Sequence, residues 1–410
     1  MLLQGIKVIE HATYYAAPGA GGILSDWGAE VIKIEPPGGD PVRTNFPTKG
    51  AKGEHLTDNP AFDGDNRGKK SIVVDARTEE GREIIRKLAD TADVFLTNVR
   101  PGGIERSGLS YEILSKRNPK LVYCALTGYG LEGPDANAPG FDVASFWSRS
   151  GLARLTAPKG SELFPIRTAA GDHTTSIAAV AAINAALIEA LKTGKGRLVD
   201  VSLLRTGLYT LHTDLAIQLF FGRNASTRPR AEAYNPLTNF FRTKDDAWIC
   251  IVARAGKADL PRMARAFDLP GIDTDPRFQD GKSRRDHAAD ITAMFDAAFA
   301  KFTKDEMAAR LTAEEIAWAP AQTLADVAVD LSDLVKPMAS SASPARAFPA
   351  TFRMMANSVI GMRKAPHSAA RSQRVAPRSS GAVCAVATPR AWQPASTAMI
   401  AGVPWARPRL

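Results

Sequence analysis

The chain is poor in the residues that build covalent or metal-held frames. Its 410 residues hold three cysteines, Cys124, Cys250 and Cys384, far apart in sequence. That spacing excludes a disulfide framework and a cysteine zinc site, and it fits a reducing, cytoplasmic setting. The six histidines show no metal spacing either, so no metal is expected. The first ten residues lack the basic region, apolar core and cleavage site of a secretion signal. The longest apolar stretch, 176–191, carries Asn184 and Glu189 and falls short of the ~20 residues a membrane span needs. No membrane partner is expected.

Acidic residues vanish at the C-terminal end. From Lys336 to Leu410 there are 11 Lys and Arg and no Asp or Glu. The remaining 335 residues carry 41 basic and 43 acidic side chains, so the formal +9 belongs to the tail. The body has no excess of positive charge for nucleic acid, and no nucleic-acid partner is expected. The tail is rich in Ala, Pro, Ser and Arg and keeps no helical or strand period. Three readings stay open for it: a disordered linker, a basic arm, or sequence translated out of frame from a point near 336–365.

Two nucleotide-binding patterns are incomplete. Gly19-Ala-Gly21-Gly22 follows a strand, and Glu35 ends the next one as a ribose-binding acid would. The third glycine of the dinucleotide pattern is missing, because position 24 is Leu. Thr193-Gly-Lys-Gly196 is not a phosphate loop, since Ser or Thr must follow the Lys. It reads as a helix end and turn.

What is present is alternation. Strands are expected at 7–10, 29–35, 71–75, 93–97, 121–126 and 198–202. Helices fall between them at 18–27 and 78–89, with Thr78 as a cap and acids in the first turn. This pattern implies an α/β fold, a largely parallel sheet with helices on its faces. A helix is expected over 176–191 and a single long one over 206–221. Residues 228–242 are polar and read as a crossing into a second domain. That domain opens with a strand at 248–252 and continues with helices at 257–267, 286–302 and 304–311. The expected layout is a large domain over 1–225 and a small α/β domain over 226–325. The chain then returns to the large domain over 326–410, with 336–410 atypical.

Asp172 sits just ahead of the 176–191 helix, in Gly171-Asp-His-Thr-Thr175. A carboxylate there meets unpaired N–H groups and the positive end of the helix dipole. It serves either as an N-cap or as a nucleophile held deprotonated. The loop Asn98-Val-Arg100-Pro-Gly-Gly-Ile-Glu-Arg106 follows a strand. It is either a solvated turn or a seat for a phosphorylated ligand. Residues 128–142 form a long glycine-rich loop of the kind more often functional than not.

Taken together, these segments resemble the family III CoA-transferases. The resemblance runs from Leu3 to about Val327. It is carried by Gly5-Ile-Lys-Val-Ile-Glu10, by Gly28-Ala-Glu-Val-Ile-Lys-Ile-Glu-Pro-Pro37 with Gly39-Asp-Pro-Val-Arg43, and by Asn66-Arg-Gly-Lys-Lys-Ser71. The 98–106 loop, Gly128-Tyr-Gly130 with Gly133-Pro134, Gly171-Asp172 and Trp318-Ala-Pro-Ala-Gln-Thr-Leu-Ala-Asp-Val327 complete it. The resemblance implies a Rossmann-like large domain and an interlocked homodimer. It implies CoA transfer from an acyl-CoA thioester to a carboxylic acid through an aspartyl-CoA thioester on Asp172, with no tightly bound cofactor. Tyr14, Tyr15, Asn98, Val99 and Arg106 match positions that line the CoA site, while Pro36 stands where some members stack an Arg on adenine. The α-methylacyl-CoA racemase branch is similar but has a catalytic His where this chain has Phe141, which cannot move a proton. The glycine loop of formyl-CoA transferases is absent, and residues 234–239 read Tyr-Asn-Pro-Leu-Thr-Asn. Together with Gly171-Asp-His-Thr-Thr175, this resembles the branch acting on 2-hydroxy acids and arylacrylates. The alternatives are a racemase-like enzyme or an inactive, frameshifted family member.

Overall fold

The computed structural model describes residues 1–45, 59–253 and 256–335. The expectations for 336–410 lie outside the described residues. Runs of Val, Ile and Leu make the strands β1 (Lys7–His11), β2 (Glu30–Glu35), β3 (Lys70–Val73), β4 (Val94–Thr97), β5 (Val122–Thr127) and β6 (Leu198–Ser202). All pair in parallel, in the order β3-β2-β1-β4-β5-β6. This is the doubly wound order, in which the chain leaves β1 toward one edge and β4 toward the other. A crevice therefore opens at the carboxyl ends of β1 and β4.

Alternation along the strands builds two apolar cores. Val8, Leu96 and Cys124 face one way, toward the first helix (Ala16–Asp26) and the long helix Ala170–Thr193. Ile9, Phe95 and Tyr123 face the other way, toward the helix Glu79–Ala89. Thr78 caps that helix as expected, accepting from the Gly81 amide at 3.0 Å.

A third core gathers around an antiparallel sheet of β7 (Thr238–Arg242), β8 (Trp248–Val252) and β9 (Ala317–Pro320), in that order. Its centre is Phe241, Phe267, Phe278, Phe295 and Phe299. β7 lies inside the stretch read as a polar crossing. The expected 206–221 helix is two helices, Leu203–Thr210 and His212–Phe221.

Gly19, Gly21 and Gly22 are buried within the first helix and form no ligand loop. Each lets another element come close. A Cβ on Gly19 would meet Ser176 Oγ at 2.6 Å, one on Gly21 would meet Glu10 Oε2 at 2.0 Å, and one on Gly22 would meet the Asp65 carbonyl at 2.7 Å. The long helix spans 24 residues and is apolar enough to cross a bilayer by length and composition. It exceeds the length expected from sequence. Here it packs against the first helix, β5 and β6 as a core element.

Candidate active site

The loop after β1 is fixed before it carries any chemistry. Asn98, just past β4, donates Nδ2 to the Thr13 carbonyl at 2.6 Å and accepts the Thr13 amide at 3.1 Å. The buried Lys33 of β2 donates to the Ala12 carbonyl at 2.9 Å. Lys33 also pairs with Glu10 at 3.1 Å and Asp40 at 2.9 Å. Asp40 accepts the Tyr14 amide at 3.2 Å, and Tyr14 takes a left-handed φ of 65°. Lys69 closes the network, pairing with Glu10 at 2.8 Å and donating to the Pro18 carbonyl at 2.8 Å. Burial lowers the Lys69 ammonium to about 8, with Glu10 opposing the shift. Two cations and two anions thus hold a tight turn that presents Tyr14 and Tyr15.

Asp172 is presented from the opposite wall. The long helix starts at Ala170 behind Ala169, which has a left-handed φ of 64°. Asp172 is therefore the third helical residue and not the N-cap. The helix start leans on Phe146, which only a Gly at 171 permits, since a Cβ there would lie 2.7 Å from the ring. Ser176 ties this turn to the first helix, donating to the Ala16 carbonyl at 2.6 Å and the Asp172 carbonyl at 3.0 Å. Phe146 and Asp142 belong to a wide, π-type helical turn, Asp142–Arg149, a winding that recurs at functional sites.

These elements enclose a cavity of about 560 Å³. Tyr14, Tyr15, Asn98 and Asp172 all line it, with Leu126, Phe141, Asp142 and Leu203. Val99 and Arg106 line a neighbouring cavity of about 310 Å³, with Gly102, Gly103 and Asn137. Arg100 lines both. The six residues expected from sequence are thus divided between two cavities that meet at Arg100. Pro36 is exposed and lines neither. Among the described residues no cluster of three or more His, Cys, Asp or Glu is placed to hold a metal ion.

Burial, followed by the charges of Asp142 and Asp65, pushes the Asp172 carboxyl up to about 7. His173 opposes them. The expectation from sequence is a carboxylate held deprotonated by the helix start; in the fold, desolvation and the charges of Asp142 and Asp65 act against that ionisation. Asp142 is 6% exposed. It accepts the Val143 amide on Oδ1 at 2.8 Å, and among the described residues its Oδ2 has no hydrogen-bond partner. The arrangement suits a desolvated carboxyl group facing an electrophile, beside a basic, glycine-rich pocket with room for a phosphorylated carrier.

The sequence model of CoA-transferase family III matches residues 3–371. The chain belongs to CoA-transferase family III. The match continues past Val327 into the stretch without acids. The chain is 33% identical to (R)-2-hydroxy-4-methylpentanoate CoA-transferase of Clostridioides difficile, over 80% of this chain and 82% of that one. It is also 33% identical to cinnamoyl-CoA:phenyllactate CoA-transferase of Clostridium sporogenes, over 80% of both. A solved CAIB/BAIF family protein from Brucella suis superposes with a TM-score of 0.70 at 33% identity, covering 80% of this chain and 85% of that one. The chain is therefore a CoA-transferase, and CoA-transferases use CoA thioesters as substrates.

For this CoA-transferase the sequence reading missed the supporting layer. Glu10, Lys33, Asp40 and Lys69 stood inside the recognised blocks without a role. A usable signal was there, since Glu10 and Lys33 interrupt strands that a buried parallel sheet fills with apolar residues. Asp65 and Asp142 were missed as well; Asp142 ends the glycine-rich 128–142 loop beside Phe141, which was a usable signal, whereas nothing in the local sequence sets Asp65 apart.

Proposed function

We propose that this enzyme transfers CoA through a covalent aspartyl-CoA thioester on Asp172, with a 2-hydroxy or arylacrylic acid as acceptor. The Asp172 carboxylate attacks the thioester carbonyl, the C–S bond breaks, and CoA leaves as thiolate. The thiolate then attacks the aspartyl carbonyl of the mixed anhydride and releases the donor carboxylate. The acceptor carboxylate attacks the aspartyl thioester, and the freed thiolate takes the acceptor acyl group and regenerates Asp172. No proton moves in the sum of these steps, which accords with Phe141 in place of a general base. A carboxyl pushed up to about 7 is more basic than a solvated one, so its anion is the better nucleophile.

One observation carries the reading. Asp172 lies in a cavity that meets, at Arg100, a second one walled by Val99, Arg106 and the start of the helix Pro101–Arg106. The first suits the thioester and acceptor, and the second suits the phosphates and pantetheine arm. Leu126, Leu203 and Phe141 give the first cavity an apolar wall that accords with a branched aliphatic or phenyl side chain on the acceptor. A homodimer belongs to the same proposal. The helix His212–Phe221 buries none of its residues in one chain, and Tyr209, Leu219 and Phe220 are each more than three-quarters exposed. Such a patch calls for a partner, and a second copy of the chain is the one proposed.

The test supplies cinnamoyl-CoA as donor and compares phenyllactate, (R)-2-hydroxy-4-methylpentanoate and succinate as acceptors. Faster transfer to the two hydroxy acids is expected. Preference for succinate would overturn the acceptor assignment, and sedimentation at the monomer mass would overturn the dimer.

A further inference from the structure

His173 follows Asp172 but is not among the residues that line the cavity. Its amide donates to the Ala169 carbonyl at 2.8 Å, closing the first turn around Asp172. Its Nε2 lies 3.1 Å and 3.2 Å from the two carboxylate oxygens of Asp65, at the end of the helix Pro60–Asn66. That carboxylate is almost fully buried, whereas the imidazole is about half exposed. The ring also meets Tyr15 edge-on, with centroids 6.4 Å apart. His173 therefore touches the two elements that hold the site, one carrying Asp172 and the other the Tyr14–Tyr15 turn.

We propose that Asp65 and His173 form a positioning pair for Asp172, in which Asp65 holds the imidazole charged and in place beside the nucleophile. The inference rests on the reading of Asp172 as nucleophile. An imidazole nitrogen shared between both oxygens of a buried carboxylate is best placed as an N–H donor. The hydrogen bond to Asp65 raises the His173 pKa, against burial, and the Asp65 and Asp172 charges add to the rise while Arg67 opposes it. The imidazolium in turn offsets Asp142 and Asp65, whose charges disfavour ionised Asp172. The charged and titratable groups around the pair are Asp172 beside it, Arg67 and Lys69 beyond the end of the 60–66 helix, Asp142 from the π-type turn, and Tyr15 from the β1 loop. Without the imidazolium, the charges of Asp142 and Asp65 would act on Asp172 without the positive charge that opposes them. Asp65 thus acts on the nucleophile in two opposing ways, directly through its own charge, which disfavours ionised Asp172, and through His173, which favours it.

The sign of the pH effect follows. The reaction needs ionised Asp172, so the rate rises with pH through the Asp172 titration. Removing the neighbouring positive charge raises that titration further, by about one pH unit for an opposite charge at close range. The experiment measures the pH dependence of kcat/KM with cinnamoyl-CoA and phenyllactate, for wild type, His173→Gln, Asp65→Asn and His173→Arg. His173→Gln should move the acidic limb up by about one unit and lower kcat/KM about tenfold below pH 7, and Asp65→Asn should move it up by less, because it also removes a negative charge that disfavours ionised Asp172. The difference should close at high pH. His173→Arg, with a permanent charge that can span both Asp65 oxygens, should restore the wild-type limb. A structural role alone would lower activity equally at every pH, and that result would overturn the proposal, as would an unmoved limb. Mass spectrometry of the Asp172 peptide after cinnamoyl-CoA separates the two readings. An adduct on Asp172 with an unmoved limb sinks only the pair, whereas no adduct in active wild type sinks the nucleophile.

Discussion

Replacing Asp172 with Asn should stabilise the protein above neutral pH while abolishing transfer. In the folded protein the carboxyl titrates at about 7, against an ordinary value of 3.8. Each pKa unit is worth 1.36 kcal/mol, so that gap amounts to about 4 kcal/mol. The helix N-terminus favours the anion by ~0.5–2 kcal/mol, which leaves about 2 to 4 kcal/mol. Between the two values the folded state holds a proton that the unfolded chain has lost. The native protein then binds more protons, and stability falls as pH rises through that window, levelling off above about 7. Asn has nearly the same shape and no proton to lose. Its advantage should be small near pH 4 and complete above about pH 7, where the wild-type carboxylate is a partly buried, repelled charge. Unfolding midpoints for both proteins across this range, with transfer assays on the same samples, measure it. Other groups titrate in both proteins, so the difference isolates Asp172. Parallel stability curves would refute the raised carboxyl, and retention of more than a small fraction of turnover would refute the covalent role.

Other perturbations address the rest of the site. Arg106→Ala should weaken binding of CoA esters by about 1.5–3 kcal/mol, the usual loss for a hydrogen bond to a charged group, and leave the KM for the acceptor acid little changed. Isothermal titration with CoA checks it, and unchanged affinity would remove Arg106 from the site. Gly21→Ala should destabilise the fold by about 3 kcal/mol or more, because a Cβ 2.0 Å from Glu10 Oε2 must displace that carboxylate from Lys69, breaking a buried ion pair. A chemical denaturation midpoint equal to wild type would contradict the role given to that pair. The enzyme should not exchange the α-proton of 2-methylacyl-CoA esters in deuterated water, since Phe141 has no ionisable group. Deuterium at the α-carbon at a catalytic rate would favour the racemase reading.

The parallel sheet was legible because its strands are short, β-branched runs between glycines and helix caps, and the expected strands lie within one or two residues of those observed. β7 was not legible. Its inward positions are Asn239 and Phe241, and the buried Asn239 donates to the Arg230 carbonyl at 3.0 Å, so the apolar alternation that marks a strand is broken. The break at Leu211 carries neither Pro nor Gly and leaves no local mark. Asp172 was found but misplaced as a cap, because the helix begins six residues before the apolar run, on an Ala in a left-handed conformation that local propensity disfavours. The raised carboxyl could not be read at all, since Asp65 and Asp142 approach Asp172 only in the folded chain.

The central claim is the covalent role of Asp172, and it is tested most directly by trapping. The enzyme is incubated with cinnamoyl-CoA without acceptor, treated with hydroxylamine, digested and analysed by mass spectrometry. The account predicts an aspartyl hydroxamate at Asp172, absent from Asp172→Asn and absent when phenyllactate is added first to discharge the enzyme. A hydroxamate at another residue, or none from enzyme that still transfers CoA, would contradict it.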